Sequence, residues 1–240
     1  MYAKCGCIET ASEIFESLPE RDVFAFTSMI SGLSNHGQSR KALNLFRRMQ
    51  DEKINPNGVT FICVLSACGR MGSLEQGKEL FRLMKSDYGI QPGVEHYGCL
   101  VDMFGRAGLV EEAKRVVVEM PMEADSYVLG ALLNACRVHG DVELGEATVD
   151  SLEELGLSHG GMQVLLSNIY ADRRRWEGVA KVRKEMEVKR VRKIPGCSLI
   201  EVDGVCFEFV AGDGSSLVVN DTLVAAKQID AHLKLFRFDE

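Results

Sequence analysis

Long apolar runs are missing from this 240-residue chain, and none approaches the roughly 20 residues that a bilayer-spanning helix needs. The opening MYAKCGCIETASEIF has no basic, then apolar, then small-residue order, so it is not a signal peptide. Organelle transit peptides are poor in acids, and Glu9, Glu13 and Glu16 come too early for one. Positive charge is also short: 28 Lys and Arg against 35 Asp and Glu give a formal charge of −7. Indiscriminate nucleic-acid binding rests on neutralised phosphates, so this balance counts against it, while a local basic groove stays open.

There are eight cysteines but no CxxC: Cys5 and Cys7 form a lone C-x-C, and Cys63 and Cys68 are five apart. None of His36, His96, His139, His159 or His232 stands in an H-x-E. That spread reads as reduced core thiols, without a disulfide scaffold or zinc. No nucleophile constellation, metal set or phosphate loop is present. The chain therefore reads as a non-enzyme with no metal and no cofactor.

What is there is a repeat. The segments GCIETASEIFESL, GQSRKALNLFRRM, GSLEQGKELFRLM, GLVEEAKRVVVEM and GDVELGEATVDSL each open with Gly, at 6, 37, 72, 108 and 140. Five residues on comes a small residue (Ala11, Ala42, Gly77, Ala113, Gly145). Four further is a large apolar one (Phe15, Phe46, Phe81, Val117, Val149). The glycine-to-glycine spacings are 31, 35, 36 and 32. Each Gly can end one helix in a left-handed turn, and the small residue lets a neighbouring helix approach. From the second unit on, an apolar stretch precedes each Gly: 28–33, 63–68, 99–104 and 131–136. Pro56 and Pro92 punctuate the joins. A unit of helix–turn–helix cannot bury its face alone, so the units stack into a solenoid. The predicted class is all-α, a right-handed helical-repeat solenoid with a small C-terminal β-hairpin and terminal helix. A tetratricopeptide array is the competing assignment. It has a similar period, but its Trp–Leu-Gly–Tyr signature is missing and the spacings here vary.

The segments VFAFTSMISGLSNHGQSRKALNLFRRMQDEKINPN, VTFICVLSACGRMGSLEQGKELFRLMKSDYGIQPG and VEHYGCLVDMFGRAGLVEEAKRVVVEMPMEAD resemble pentatricopeptide repeats. Their differing lengths match the P, L and S variants of the plant PLS class. The resemblance divides the chain into residues 1–125 (partial S, then P, L and S repeats), 126–196 (two E motifs) and 197–240. This last part is an E+-like hairpin followed by a divergent helix. It departs from the family pattern, with Leu199 for the usual Trp and Phe207 for the usual His. Met1-Tyr2-Ala3-Lys4 matches the end of a first helix. The helix with Ala11, Ile14, Phe15 and Leu18 is thus expected to leave an apolar face loosely covered.

The resemblance implies binding of single-stranded organelle RNA in mitochondria or chloroplasts, with E-type members specifying sites of cytidine-to-uridine editing. It implies one base per repeat, read by a first-helix residue and one at the repeat's end. In the P repeat these are Thr27 and Asn57, which resemble the adenine-reading pair, and Phe24 takes the position that packs on the base face. The L repeat offers Ile62 and Gly93, without reading chemistry, and the S repeat offers Gly98 and Asp125, which departs from the usual pair. With one readable base, RNA binding by this chain is expected to be weak. No H-x-E…P-C-x-x-C is present, so deaminase activity would come from a partner protein through the E and E+ segments. The alternative function is a protein–protein interaction scaffold on the same concave face. Residue by residue, Thr27 as a solvent-facing helix residue and Asn57 as a plain turn residue also remain open.

Three local features complete the sequence. Asp203-Gly204 between two β-rich stretches predicts a two-residue hairpin turn. Residues 221–236 read as an amphipathic helix. Lys181, Arg183, Lys184, Lys189, Arg190, Arg192 and Lys193 form a basic cluster, either a phosphate contact or a solvated helix face. Arg174 stands where the other units have Gly, and a less sharp turn is expected there.

Overall fold

The computed structural model describes residues 2–157, 159–191, 195–202 and 205–211. A short 3-10 helix (Tyr2–Cys5) leads into eleven α-helices. They are α1 (Ile8–Ser17), α2 (Val23–Asn35), α3 (Ser39–Asp51), α4 (Gly58–Met71), α5 (Leu74–Ser86) and α6 (Val94–Arg106). After these come α7 (Val110–Glu119), α8 (Ser126–His139), α9 (Val142–Glu154), α10 (Gly160–Asp172) and α11 (Trp176–Val188). Two strands follow, β1 (Cys197–Val202) and β2 (Val205–Val210). The described residues fall into two compact units, one before and one after residue 192.

In the first unit the even-numbered helices pack side by side in one row, α2 on α4, α4 on α6, α6 on α8 and α8 on α10. Each odd-numbered helix returns against its own partner, which makes the expected helix–turn–helix solenoid. The repeat glycines perform the turn: Gly37, Gly72, Gly108 and Gly140 have φ of 73, 68, 79 and 70°. The residue after each donates back to the carbonyl five places earlier, as Ser73 N does to Cys68 O at 3.0 Å. Arg174 departs from the expectation. It adopts φ 57°, and Arg175 N reaches Tyr170 O at 2.8 Å, so this turn is as tight as the others. The packing of α10 and α11 imposes a left-handed turn on a residue that pays for its Cβ.

The small repeat residues allow the close approach. A Cβ on Gly77 would run into the Met103 thioether, and one on Gly145 would sit 3.0 Å from the Ile169 Cδ1. The core between helix layers is continuous from Ile8 to Leu132, with a second cluster from Leu129 to Met186. Edge-on aromatic pairs knit the first: Phe15 with Phe26, and Phe61 with both Phe46 and Tyr88, at centroid distances of 5.1, 5.7 and 5.5 Å. Cys68, Cys99 and Cys136 lie in these cores as free thiols, as expected. Burial pushes their pKa up to about 11, about 11 and about 12.

The joints between first helices are pinned at their C-terminal ends. His36 Nε2 meets Ala3 O at 2.6 Å, and Arg70 Nη1 donates to Ser34 O at 2.6 Å. His139 Nε2 meets Gly105 O at 2.8 Å, and Arg173 Nη2 donates to His139 O at 2.6 Å. These side chains add a donor at carbonyls of the helix ends, of which Ser34 O and Gly105 O also accept a backbone N–H from Gly37 and Gly108. At the first helical turn, Tyr2, Ala3, Ile14, Phe15, Leu18 and Met29 line an open apolar hollow of about 180 Å³. Ile14 is 42% exposed there, in keeping with the expected loose cover.

In the second unit β1 and β2 pair antiparallel, with Val202 opposite Val205. That register leaves a two-residue link, matching the hairpin reading, although residues 203–204 themselves lie outside the described residues. Ala211 N donates to Gly196 O at 2.8 Å and closes the open end. The expected helix at 221–236 also lies outside the described residues.

Candidate nucleic-acid interface

The N-termini of the first helices share one layout. Asp22, Asn57, Gly93, Asp125 and His159 are the N-caps of α2, α4, α6, α8 and α10. The repeat-end positions Asn57, Gly93 and Asp125 are therefore also the positions that start the next helix. Two residues beyond each cap stand Phe24, Val59, Glu95, Tyr127 and Gly161. Phe24, Val59 and Tyr127 are 71, 56 and 54% exposed, a row of large apolar groups on the surface. Core burial cannot explain them, because the helical face that buries in each case is the opposite one.

Thr27 is not a solvent-facing helix residue: it is buried, and its Oγ1 lies 2.7 Å from Thr60 Oγ1 in the next repeat. Thr60 in turn forms a capping box with Asn57. Asn57 Oδ1 accepts from Thr60 N at 2.9 Å and from Thr60 Oγ1 at 3.0 Å, and Asn57 N donates to Thr60 Oγ1 at 3.2 Å. Thr60 thus joins the two predicted reading residues, and nothing in sequence spacing pointed to it. The one available signal was a Thr three residues after an Asn cap. Thr60 Oγ1 has one proton and two acceptors within reach, Asn57 Oδ1 and Thr27 Oγ1, and either threonine can be the donor in the Thr27–Thr60 bond. When Thr60 donates to Asn57, Thr27 donates to Thr60 and its lone pairs are left for a third partner. Asn57 uses its carbonyl oxygen on the helix and keeps its NH₂ group. In that arrangement the pair offers one acceptor and one donor. Thr27 also lines an open cleft of about 660 Å³ bounded by the 3-10 helix, α2 and α4, together with Ala3, Lys4, Ser31, Asn35, Val59 and Cys63.

Phe24 lies on the same helix as Thr27, three residues earlier, with its ring in solvent. The predicted pair Gly98 and Asp125 is arranged differently. Gly98 is buried beneath the Tyr127 ring, where an added Cβ would be 2.6 Å from two ring carbons. Asp125 Oδ1 accepts from Tyr127 N at 3.0 Å and from Val128 N at 2.9 Å. Both therefore support Tyr127, and Gly98 presents no surface of its own. Burial raises the Tyr127 phenol pKa, Cys99 and Asp102 add to the rise, and Arg70 and Arg106 oppose it. The L–S joint uses yet another device. His96 Nδ1 accepts from Gly93 N at 3.0 Å, so its Nε2 carries the proton shared with Gly58 O at 2.9 Å. Of the basic cluster, Arg183 bonds Ser167 Oγ and Lys189 pairs with Glu153, while Lys181 and Lys184 are exposed.

Known proteins give the same assignment. Pentatricopeptide repeat models match residues 21–70, 59–88 and 88–121, and the E motif model matches 139–201. The chain belongs to the pentatricopeptide repeat family. It is 43% identical to the Arabidopsis thaliana pentatricopeptide repeat-containing protein At4g14820 over 98% of this chain and 32% of that protein. It is 46% identical to At5g66520 of the same plant, over 90% of this chain and 35% of the relative. The chain thus spans about a third of the length of these curated relatives. The maize pentatricopeptide repeat protein PPR10 has a similar fold, with a TM-score of 0.65 at 22% identity over 80% of this chain and 29% of that one. Its complex with an 18-nucleotide psaJ RNA element matches with a TM-score of 0.68 at 20% identity, over 78% of this chain and 29% of that one. The pentatricopeptide repeats and E motif, with their variable spacing, fit the PLS class.

Proposed function

We propose that this chain is a single-stranded RNA-binding segment that reads one base between its P and L repeats. The observation that carries this reading is the Thr27–Thr60–Asn57 network, which supports an acceptor role for Thr27, on the wall of an open cleft, and a donor role for Asn57. Adenine offers N1 as an acceptor and N6–H as a donor side by side, the complement of that pair. Exposed Phe24 and Val59 flank the position and supply apolar surface for the base faces. The RNA-bound maize relative supports RNA as the ligand class. At −7 overall, affinity has to come from such local contacts more than from general charge.

The finer assignment is a non-catalytic specificity factor in organelle cytidine-to-uridine editing. Its E motif and hairpin would recruit a deaminase supplied in trans. The E motif match and a relative named as chloroplastic support that assignment. A pull-down from organelle extract tests it: removing residues 197–240 should abolish capture of a deaminase, and unchanged capture would reject this role for the tail.

Asn57→Asp tests the reading pair. Aspartate still caps α4 through one oxygen, so the fold is kept, but the free atom changes from donor to acceptor. Fluorescence anisotropy with RNAs differing at one base should show preference moving from adenine toward guanine, whose N1–H is a donor. The expected change is about 1–3 kcal/mol of discrimination. An unaltered preference would remove the mechanism and favour a protein-binding scaffold.

A further inference from the structure

Thr60 is fully buried, and its hydroxyl faces three groups at once: Asn57 N at 3.2 Å, Asn57 Oδ1 at 3.0 Å and Thr27 Oγ1 at 2.7 Å. A hydroxyl has one proton to donate and two lone pairs with which to accept. When Thr60 donates to Asn57 Oδ1, the backbone N–H of Asn57 and the hydroxyl of Thr27 take its two lone pairs, and all three contacts are satisfied. When Thr60 donates to Thr27 instead, its oxygen and Asn57 Oδ1 stand 3.0 Å apart with no proton between them. Away from water such a contact is costly, which favours the first arrangement. That arrangement turns the Thr27 proton inward and leaves lone pairs on a residue that lines the cleft.

The contact belongs to the geometry of the row. Thr60 is the third residue after the cap Asn57, and Thr27 is the fifth after the cap Asp22. Between α6 and α8 the matching residues are Gly98 and Val128, where a Cβ on Gly98 would lie 3.5 Å from Val128 Cγ2. Between α8 and α10 they are Gly130 and Met162, where a Cβ on Gly130 would lie 3.1 Å from Met162 Cε. The third residue of one first helix thus meets the fifth of the helix before it. Between α4 and α6 the third residue is His96, which sends Nε2 to Gly58 O at 2.9 Å, and the fifth is apolar Ile62. Of these four joints, only α2–α4 sets two hydrogen-bonding side chains against each other at these positions.

We propose that Thr60 is a third specificity-determining residue for the base beside Thr27 and Asn57. It is a positioning residue: its hydroxyl sets which way Thr27 points its proton, so the helix that follows the base takes part in choosing it. The inference rests on the RNA-binding reading above. Guanine offers O6 as an acceptor and N1–H as a donor, and so asks for a donor where adenine asks for an acceptor. Base choice is then a property of a joint between repeats and not of one repeat.

The test compares two RNAs, with adenine or guanine at this base, bound to the full chain and followed by fluorescence anisotropy. Thr60→Val keeps the side-chain shape and the backbone N–H that Asn57 accepts, but removes the hydroxyl. Thr27 is then free to donate outward, and the adenine-over-guanine ratio should fall about 2- to 10-fold, the equivalent of one hydrogen bond. The fall should come from tighter binding of the guanine RNA. Thr60→Ser, which keeps the hydroxyl, should retain the wild-type ratio. Circular dichroism checks that each variant is folded, and Thr60→Ala repeats the measurement should the valine chain not fold. An unchanged ratio in the chain lacking the hydroxyl, while Asn57→Asp shifts the preference, would overturn this proposal and leave the reading pair in place. Equal weakening of both RNAs would also overturn it, since that marks a purely structural residue. So would a collapsed ratio in a folded Thr60→Ser chain. A wild-type chain without adenine preference would overturn the pair and this role together.

Discussion

The α2–α4 joint and the α6–α8 joint use the same helical positions for different purposes. At the first, Thr27 and Thr60 share a hydrogen bond across the interface, and the cap Asn57 is drawn into the same network. At the second, the position equivalent to Thr27 is Gly98, and Tyr127 lays its ring over it. The cap Asp125 then holds only backbone amides. A conserved backbone frame can therefore present a hydrogen-bonding edge at one joint and an aromatic face at another. What decides is a pair of side chains, one on each neighbouring helix.

The comparison breaks most severely if the frame beneath the α2–α4 joint is removed. Phe61 is fully buried against Phe46 and Tyr88. Phe61→Ala should cost about 3–5 kcal/mol in urea unfolding and take the Thr27 network with it. In an array whose repeats touch only neighbours, the α8–α11 core should lose protection against hydrogen exchange less than the α2–α5 core. Equal loss throughout would mean that the two joints are one cooperative unit.

Cap removal sharpens the contrast at smaller cost. Asn57→Ala and Asp125→Ala should each lose about 0.5–2 kcal/mol of stability. Only Asn57→Ala should also alter base preference, because only Asn57 keeps an unspent donor. Arg174→Gly should move the other way, stabilising by about 1 kcal/mol in thermal unfolding, since the left-handed turn then carries no Cβ. A destabilised Arg174→Gly would show that the arginine side chain outweighs its backbone cost.

Alkaline pH should have no effect until the thiols titrate. Cys68, Cys99 and Cys136 have folded pKa values raised by burial to about 11, 11 and 12 from 9.0. Their contribution is fully present below the unfolded value near 9 and is lost as pH climbs toward the folded values. Denaturant midpoints should therefore be level from pH 7 to 8 and fall by pH 10. Iodoacetamide at neutral pH should label exposed Cys5, Cys7 and Cys197 before the three buried thiols.

The array itself was legible because its signals are local and repeated. Gly37, Gly72, Gly108 and Gly140 mark turns that glycine favours, and the small residues mark contacts that tolerate nothing larger. Arg174 was misjudged because propensity describes an isolated turn, whereas two packed helices imposed this one. The candidate site was legible only in part. Thr27, Asn57 and Phe24 could be located only through the family resemblance, and the role of Thr60 depends on a contact 33 residues away in sequence. Gly98 could be named but not understood, since its meaning lies in Tyr127 of the next unit. Of the exposed row of Phe24, Val59 and Tyr127, the sequence analysis singled out Phe24 alone, and the row emerged from the structure.

The pinned C-terminal ends of the first helices have an electrical consequence. Helices lying parallel in a row place their negative poles side by side, an arrangement that repels. His36, Arg70, His139 and Arg173 each set a donor against the neighbouring pole. Two of these four donors, Arg70 and Arg173, come from the scarcer sign of charge in an acidic chain. The series also has a direction: at four of its five joints the later unit brings the donor for the one before it, so a unit can join this end-to-end series in one orientation and not the reverse.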